Sequence, residues 1–451
     1  MGDGTRRGSA GGDSPARYGR GVREGRAAFA LAGDARAPRA NGVSPAGSRP
    51  SAHPNGPGSQ GRRPEKLLTF PGSESFAPLD EQRPSRPTKA VIDLSALAAN
   101  YAYLQELAGA AAVIPVVKAD AYGHGVVPSA RRLEAEGATC FGVAIAEEGL
   151  ELRRGGIRSE ILLLNFSDPR DAPLHASYGL TPTLYDLSQA RGYAEVTRGW
   201  RRRPLPVHLK IDTGMGRLGI RPEELSAAVD LLVRAKGIQL RGTFTQLARA
   251  DEREGAPTEK QLDAFRNCLE LLSAAGIDPG LVHAANSAAL LQHSSSILQA
   301  VRPGLALYGI PPAQQSDPGR LRPVMSLETR VLAVKQVPSG TPLGYGGRFV
   351  TARPSTIAAL PIGYHDGVRR SFSDHVSVLL QGEKAPIVGA VSMDLTLVDA
   401  TECGAQPGDR VVILGTDARR EVTAWELALA AGTLPYEIVC GIGSRVPRVY
   451  V

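Results

Sequence analysis

The sequence predicts an α/β protein: a parallel (β/α)8 TIM-like barrel, a mostly antiparallel β domain after it, and a low-complexity segment in front. Three observations carry this expectation. Eight short β-type apolar runs alternate with helix-length patterns between residues 113 and 307. From about residue 322 the texture changes to short β-type runs joined by Gly and Pro turns. Before residue 89 neither pattern is sustained. The expected division is 1–88 as a disordered extension, 89–321 as the barrel and 322–451 as the β domain.

The first 88 residues hold 15 Gly and 11 Pro, which reaches the low-complexity range. Such a chain buries too little apolar area to offset its ordering entropy. They also carry 14 Lys and Arg against 8 Asp and Glu, so nearly all of the chain's net +7 resides there. The remainder is close to neutral, so the basic balance is no argument for a nucleic-acid partner.

Past Lys89 the elements read in order. Residues 90–94 form a strand pattern and 95–107 an amphipathic helix, with Ser95 placed as its N-cap. The eight barrel strands are expected at 113–117, 140–144, 161–165, 180–184, 207–211, 240–245, 281–284 and about 300–307. Helical patterns at 222–235 and 259–275 fill two of the gaps. No GxGxxG follows the first strand, which weakens a doubly wound dinucleotide-binding sheet. In the last third, β-type runs fall at 331–337, 355–360, 376–381, 385–391 and 411–414, with one helix at 423–431. The longest apolar runs are far short of the roughly 20 residues of a membrane-spanning helix, so no membrane partner is expected. Four scattered cysteines (Cys140, Cys268, Cys403, Cys440) form no CxxC pair. That argues against a disulfide framework or a cysteine-built metal site and fits a reducing cytoplasm.

In a barrel the catalytic residues sit just past the C-terminal ends of the strands. Lys118 follows the run 113–117 directly. Apolar flanks depress a lysine's pKa, and a neutral amine can attack a carbonyl group. The same lysine also reads as a rim residue whose stem covers apolar surface. Past strands 7 and 8, the usual phosphate corner of a barrel, stand Ser287 and Arg302-Pro303-Gly304-Leu305. Ser287 offers a hydroxyl, and Gly304 and Leu305 offer backbone N–H groups, though ordinary turn chemistry uses the same residues. A carbonyl-reactive lysine opposite a phosphate cradle suggests pyridoxal phosphate.

These residues resemble the alanine racemase family, the fold-type III pyridoxal-phosphate enzymes. The resemblance spans about residues 88–451 and rests on eight motifs in order. They are Val-Val-Lys-Ala-Asp-Ala-Tyr-Gly-His-Gly at 116–125, Lys-Ile-Asp-Thr-Gly-Met-Gly-Arg-Leu-Gly at 210–219, His-Ala-Ala-Asn-Ser at 283–287 and Val-Arg-Pro-Gly-Leu-Ala-Leu-Tyr-Gly at 301–309. Gly-Tyr-Gly at 344–346, Pro-Ile-Gly-Tyr-His-Asp-Gly at 361–367, Ser-Met-Asp at 392–394 and Arg-Val-Pro-Arg at 445–448 complete the set.

The resemblance implies interconversion of L- and D-alanine, supplying D-alanine for peptidoglycan, with pyridoxal 5'-phosphate as cofactor and a homodimer as the working form. Lys118 would hold the cofactor covalently and act as base on one face of the α-carbon. Tyr345, contributed by the partner subunit, would be the base on the other face. Inversion needs both, one to remove a proton and one to deliver another. Tyr122, Ser287, Gly304 and Leu305 would bind the phosphate. Arg302 would hydrogen-bond the pyridine nitrogen; a guanidinium keeps its protons, which disfavours side reactions. Arg217 would contact the substrate carboxylate or the cofactor's phenolic oxygen, positioned by a carbamate on Lys210. Met393 would offer its backbone amide to the substrate, and Tyr364 would narrow the entrance.

Three positions depart from the family pattern. Gln246 stands where a histidine near the cofactor is usual, and cannot titrate. Ser444 stands where some members have a phosphate-binding tyrosine, and its hydroxyl would serve the phosphate instead, directly or through water. Ala390 replaces an entrance arginine, which implies a wider and less positive entrance. Ala390 and Gln246 keep a racemase of broader or different amino-acid range in view. A pyridoxal-phosphate carrier without turnover needs no second base, and a decarboxylase of this fold lacks its usual motifs here.

Overall fold

The structure is a computed structural model that describes residues 86–451, except 202, 253 and 315–318. The expected extension therefore lies outside the described residues up to residue 85. Its last three residues are part of the fold. Thr88 is fully buried and donates to the Pro361 carbonyl at 2.8 Å. Arg86 forms two hydrogen bonds with the Asp366 carboxylate, at 2.8 and 2.9 Å. Gly- and Pro-rich composition just upstream hides these anchors from a windowed reading.

The strand Lys89–Ile92 does not belong to the barrel, although the expected barrel range began at 89. It pairs antiparallel with Met325–Arg330 and parallel with Arg448–Tyr450. Alternation shows that Ala90 and Ile92 face inward, but not which sheet they join. The barrel begins with the helix Leu94–Ala108. Its N-cap is Asp93 rather than Ser95: the carboxylate accepts the Ala96 N–H at 2.8 Å.

All eight expected barrel strands are present and parallel. Cys140–Val143 pairs with Glu160–Leu163, which pairs with Leu180–Thr181. Thr183–Leu184 pairs with Leu205–Lys210, followed by Ile238–Phe244, Leu281–Asn286, Ala300–Arg302 and Ala112–Val113. A parallel bridge between Val116 and Gly142 closes the ring. Three strands are shorter or broken for one reason. Pro182 has no N–H and divides 180–184, so the two halves serve opposite neighbours. Pro115 interrupts 113–117, and Pro303 ends the last strand, after which Leu305–Tyr308 forms a 3-10 turn.

The C-terminal region holds two larger sheets, mostly antiparallel. The larger sheet runs Glu383–Pro386, Ser377–Leu380, Arg410–Asp417, Met325–Arg330, Lys89–Ile92, Arg448–Tyr450. The smaller runs Ala333–Val337, Ser355–Leu360, Thr396–Asp399. The run expected at 331–337 begins only at Ala333, because the chain changes sheets just before it. The helix Ala424–Ala431 is capped by Thr423, whose hydroxyl oxygen accepts the Glu426 N–H at 3.0 Å. The strand Thr396–Asp399 and the helix Pro435–Cys440 escaped the sequence reading; four and six residues are too few to show a period. One continuous buried cluster joins barrel and β region, from Ile92 through Phe244 to Val446. Among the described residues no helix is long and apolar enough to cross a membrane.

Candidate active site

Lys118 opens a turn of unusual hand. Ala119, Asp120, Ala121 and Tyr122 all have φ near +53°. Left-handed backbone costs about 1–2 kcal/mol per residue with a β-carbon, so other contacts must hold it. The Glu148 carboxylate accepts the Ala119 N–H, and Asp120 accepts the Val126 N–H, both at 2.7 Å. At Gly123 a β-carbon would run into the Val439 carbonyl, so the helix Pro435–Cys440 packs directly on this turn. Burial, then the nearby Arg217 charge, pulls the Lys118 amine below the usual lysine range.

Ser287, Gly304 and Tyr122 meet at one corner of the barrel. Ser287 begins the helix Ser287–Gln292. Its Oγ accepts the Gly304 N–H at 2.8 Å and the Ala306 N–H at 3.3 Å. Its own O–H remains to donate. A β-carbon at 304 would overlap Tyr122 Oη, so glycine there lets the phenol reach the cradle. Tyr122 is buried against Tyr308, with ring centroids 4.9 Å apart. Burial holds its phenol far above the ordinary range, so it acts as a neutral donor. Ser444 is exposed, and no hydrogen bond among the described residues ties it to this corner. A second phenol beside Tyr122 is Tyr436, 6.0 Å away between ring centroids.

Arg302 is buried, and burial pushes its pKa down to about 9, still protonated at neutral pH. It donates to His283 Nδ1 at 2.6 Å and to the carbonyls of Thr245 and Ala284 at 2.8 and 3.0 Å. A longer contact of 3.4 Å reaches Gln246 Oε1. Because Arg302 only donates, His283 Nδ1 must accept and its Nε2 must carry the proton. That proton points to His208 Nδ1, 3.0 Å away. Burial keeps both rings neutral, with His208 lowered to about 3. The sequence reading gave no role to His208 or His283. The available signal was alternation: His208 and Lys210 share the inward face of Leu205–Lys210.

Lys210 is buried, and its ammonium donates to the Leu164 carbonyl at 3.3 Å. Burial, reinforced by Arg217, Arg302 and Lys118, lowers its pKa to about 7. Arg217 sits exposed on the following loop, where the Asp212 carboxylate gathers the N–H groups of Gly214, Met215 and Gly216.

The remaining predicted residues lie on the β region. Tyr345 is 73% exposed, Met393 50% and Tyr364 43%. The Tyr364 and Met393 loops are tied by two backbone bonds, Tyr364 N–H to Ser392 O at 2.9 Å and His365 N–H to Met393 O at 3.2 Å. Arg445 donates to Asp394 at 2.7 Å and to Asp366, the acceptor of Arg86. No hydrogen bond or ring contact among the described residues joins Tyr345 to Lys118. Ala390 lines a hollow of about 400 Å³ together with Arg348, Arg370, Asp374 and His375.

Residues 92–312 match the family model described as alanine racemase, N-terminal domain, and 324–450 the C-terminal domain of the same family. The alanine racemase of Symbiobacterium thermophilum is 42% identical over 370 residues, which cover 81% of this chain and 97% of the relative. The crystal structure of the alanine racemase of Streptomyces lavendulae superposes with a TM-score of 0.78 at 37% identity, covering 82% of this chain and 98% of that one. The alanine racemase of Bartonella henselae, solved with covalently bound pyridoxal phosphate, gives 0.75 at 32%, covering 82% and 100%.

Proposed function

The chain belongs to the alanine racemase family and interconverts L- and D-alanine, and from that premise we propose how its own residues divide the work. Family members depend on pyridoxal phosphate, and the residues present fit that group. The hydroxyls of Ser287 and Tyr122, with no β-carbon at Gly304, suit a phosphate. Arg302 suits an unprotonated ring nitrogen, and Lys118 suits the carbonyl. Bound pyridoxal phosphate supplies an electron sink that acidifies the α-hydrogen of an amino acid.

Lys118 holds the cofactor and then moves the proton on one face of the α-carbon. The observation that carries this reading is the partly buried Lys118 amine with its lowered pKa at a strand end, because a base must be neutral to accept a proton. Tyr345 moves the proton on the other face. Its exposure on the β region, shared with Met393 and Tyr364, supports a homodimer in which each subunit completes its partner's site. Arg217 engages the substrate carboxylate. Arg302 stays a donor, and the His283–His208 chain fixes its orientation. Turnover of L-alanine in D2O tests the scheme. D-Alanine with deuterium at the α-carbon is expected; D-alanine retaining all its protium would exclude two exchangeable bases.

Two smaller effects follow from departures and burial. Gln246 touches Arg302 only at 3.4 Å and cannot titrate, so the catalytic tyrosine lacks the basic neighbour usual in the family. Gln246→His is expected to raise kcat in the L-to-D direction by about 10-fold, a fraction of a full general-base contribution. An unchanged ratio of the two directions would remove Gln246 from the mechanism. Lys210 is the carbamate position. Carbamate forms from the neutral amine, whose fraction grows as pH rises through about 7. In 13C-bicarbonate the carbamate resonance should therefore grow between pH 6 and pH 8 and be missing in Lys210→Ala.

A further inference from the structure

A charge cluster ties together the loops that carry Tyr364 and Met393. At its centre is Asp366, whose side chain is fully buried. Its carboxylate accepts two hydrogen bonds from Arg86, at 2.8 and 2.9 Å, and two from Arg445, at 2.7 and 3.2 Å. The Gly363 N–H adds a fifth at 3.0 Å. Burial pushes the Asp366 carboxyl up, but the bonds from Arg86, Arg445 and Gly363 outweigh it and hold the group below the usual carboxylate range. Asp366 is therefore a buried anion compensated by two cations.

Arg445 has a second task. It donates to the Asp394 carboxylate at 2.7 Å and to the Met393 carbonyl at 3.3 Å. A β-carbon at Gly363 would overlap the carbonyls of Ser392 and Met393, so the two loops meet backbone to backbone. Within them the N–H groups of Tyr364, His365 and Ser392 are all spent, on Ser392, Met393 and Leu395 carbonyls. The Met393 N–H has no acceptor among the described residues, and Met393 is half exposed. It is thus available to a substrate carboxylate.

Two guanidiniums balance two carboxylates here. Without Arg86, Asp366 would keep Arg445 as its only cation. A buried carboxylate that loses half its compensation competes strongly for what remains. Asp394 is 60% exposed and can turn to water instead. Arg445 would then shift towards Asp366 and release the backbone at 393.

We propose that Arg86 is a positioning residue for substrate binding: by sharing Asp366 with Arg445 it keeps Arg445 on Met393, and so sets the place of the Met393 amide. This rests on the reading that Met393 serves the partner's site, so Arg86 acts on the partner's substrate and not on its own barrel.

Kinetics of the full chain loaded with cofactor test this. Arg86→Ala should raise KM for L-alanine about 10-fold while kcat changes less than about 3-fold, because binding is lost more than proton transfer. Arg86→Lys keeps the charge without the two-pronged donation. It should raise KM about 3-fold, and it carries the test if the alanine variant does not fold. The variant is then dissociated and reassociated with Lys118→Ala. In mixed dimers the surviving Lys118 belongs to the Arg86 variant, and its site is completed by a chain that keeps Arg86. A component with the parental KM should therefore appear, which a general loss of stability would not produce. An unchanged KM in whichever variant folds, or a mixture showing only the raised KM, overturns the proposal. A parallel mixture of Lys118→Ala with Tyr345→Phe regains activity only if sites are shared. Activity there, with no parental KM in the Arg86 mixture, places the failure on Arg86 alone; no activity there overturns both readings.

Discussion

Lys118→Ala is expected to lower racemisation by roughly 10,000-fold or more, since one substitution removes both the covalent anchor and a general base. The reason is local. The amine is partly buried at the end of a strand, and its pKa is lowered first by burial and then by Arg217. Alanine leaves the left-handed turn intact, because the bonds to Glu148 and Asp120 come from backbone N–H groups at 119 and 126. Borohydride treatment followed by peptide mass spectrometry should find pyridoxal phosphate fixed to Lys118 in the natural sequence and to no lysine in the variant. Fixation at Lys210 instead would reassign the two lysines. Residual activity within about 10-fold of the parent would remove Lys118 from proton transfer altogether.

The lysine's place was legible because a barrel tells where to look: one residue past a strand end, before glycines that admit a ligand. The eight barrel strands were legible for a similar reason, each being a short apolar run of β-type residues bounded by turn signals. What surrounds Lys118 was not. Nothing in Ala119-Asp120-Ala121-Tyr122 signals four residues of left-handed backbone, since alanine alone favours the opposite hand. That conformation is imposed from outside, by Glu148 and by the packing of Val439 from the far end of the chain. Strand membership failed in the same way. Lys89–Ile92 shows the right alternation, but its partners are some 240 and 360 residues away. The Arg302–His283–His208 chain spans three strands and has no local pattern at all. Tyr436 beside Tyr122 is likewise a tertiary fact, and it stands next to the corner for which the sequence nominated Ser444.

Tyr345→Phe should lower kcat by roughly 100- to 10,000-fold, the span of one general acid–base group. Chemically this resembles the Lys118 result, but spatially it differs. Tyr345 stands 73% exposed on a loop of the β region, with no contact to Lys118 among the described residues. A base so far open to water in one chain works only if another surface closes over it. In a two-fold dimer the same patch meets its counterpart, so each Tyr345 can reach the partner's barrel mouth. Mixing the two inactive proteins distinguishes this from closure within one chain. If sites are shared, dissociating and reassociating Lys118→Ala with Tyr345→Phe gives mixed dimers in which one site carries both defects and the other neither. Half of the dimers are then mixed and half of their sites intact, so activity should return to about a quarter of the parent level. If Lys118 and Tyr345 meet within one chain, every site keeps a single defect and no activity returns. Racemase activity of the mixture, followed against incubation time, therefore reads the assembly and the catalytic pairing together. The exposed loops at 364 and 393 depend on Asp366, Arg445 and Arg86 for their shape. The surface that carries Tyr364 and Met393 is thus anchored by a residue upstream of the first strand.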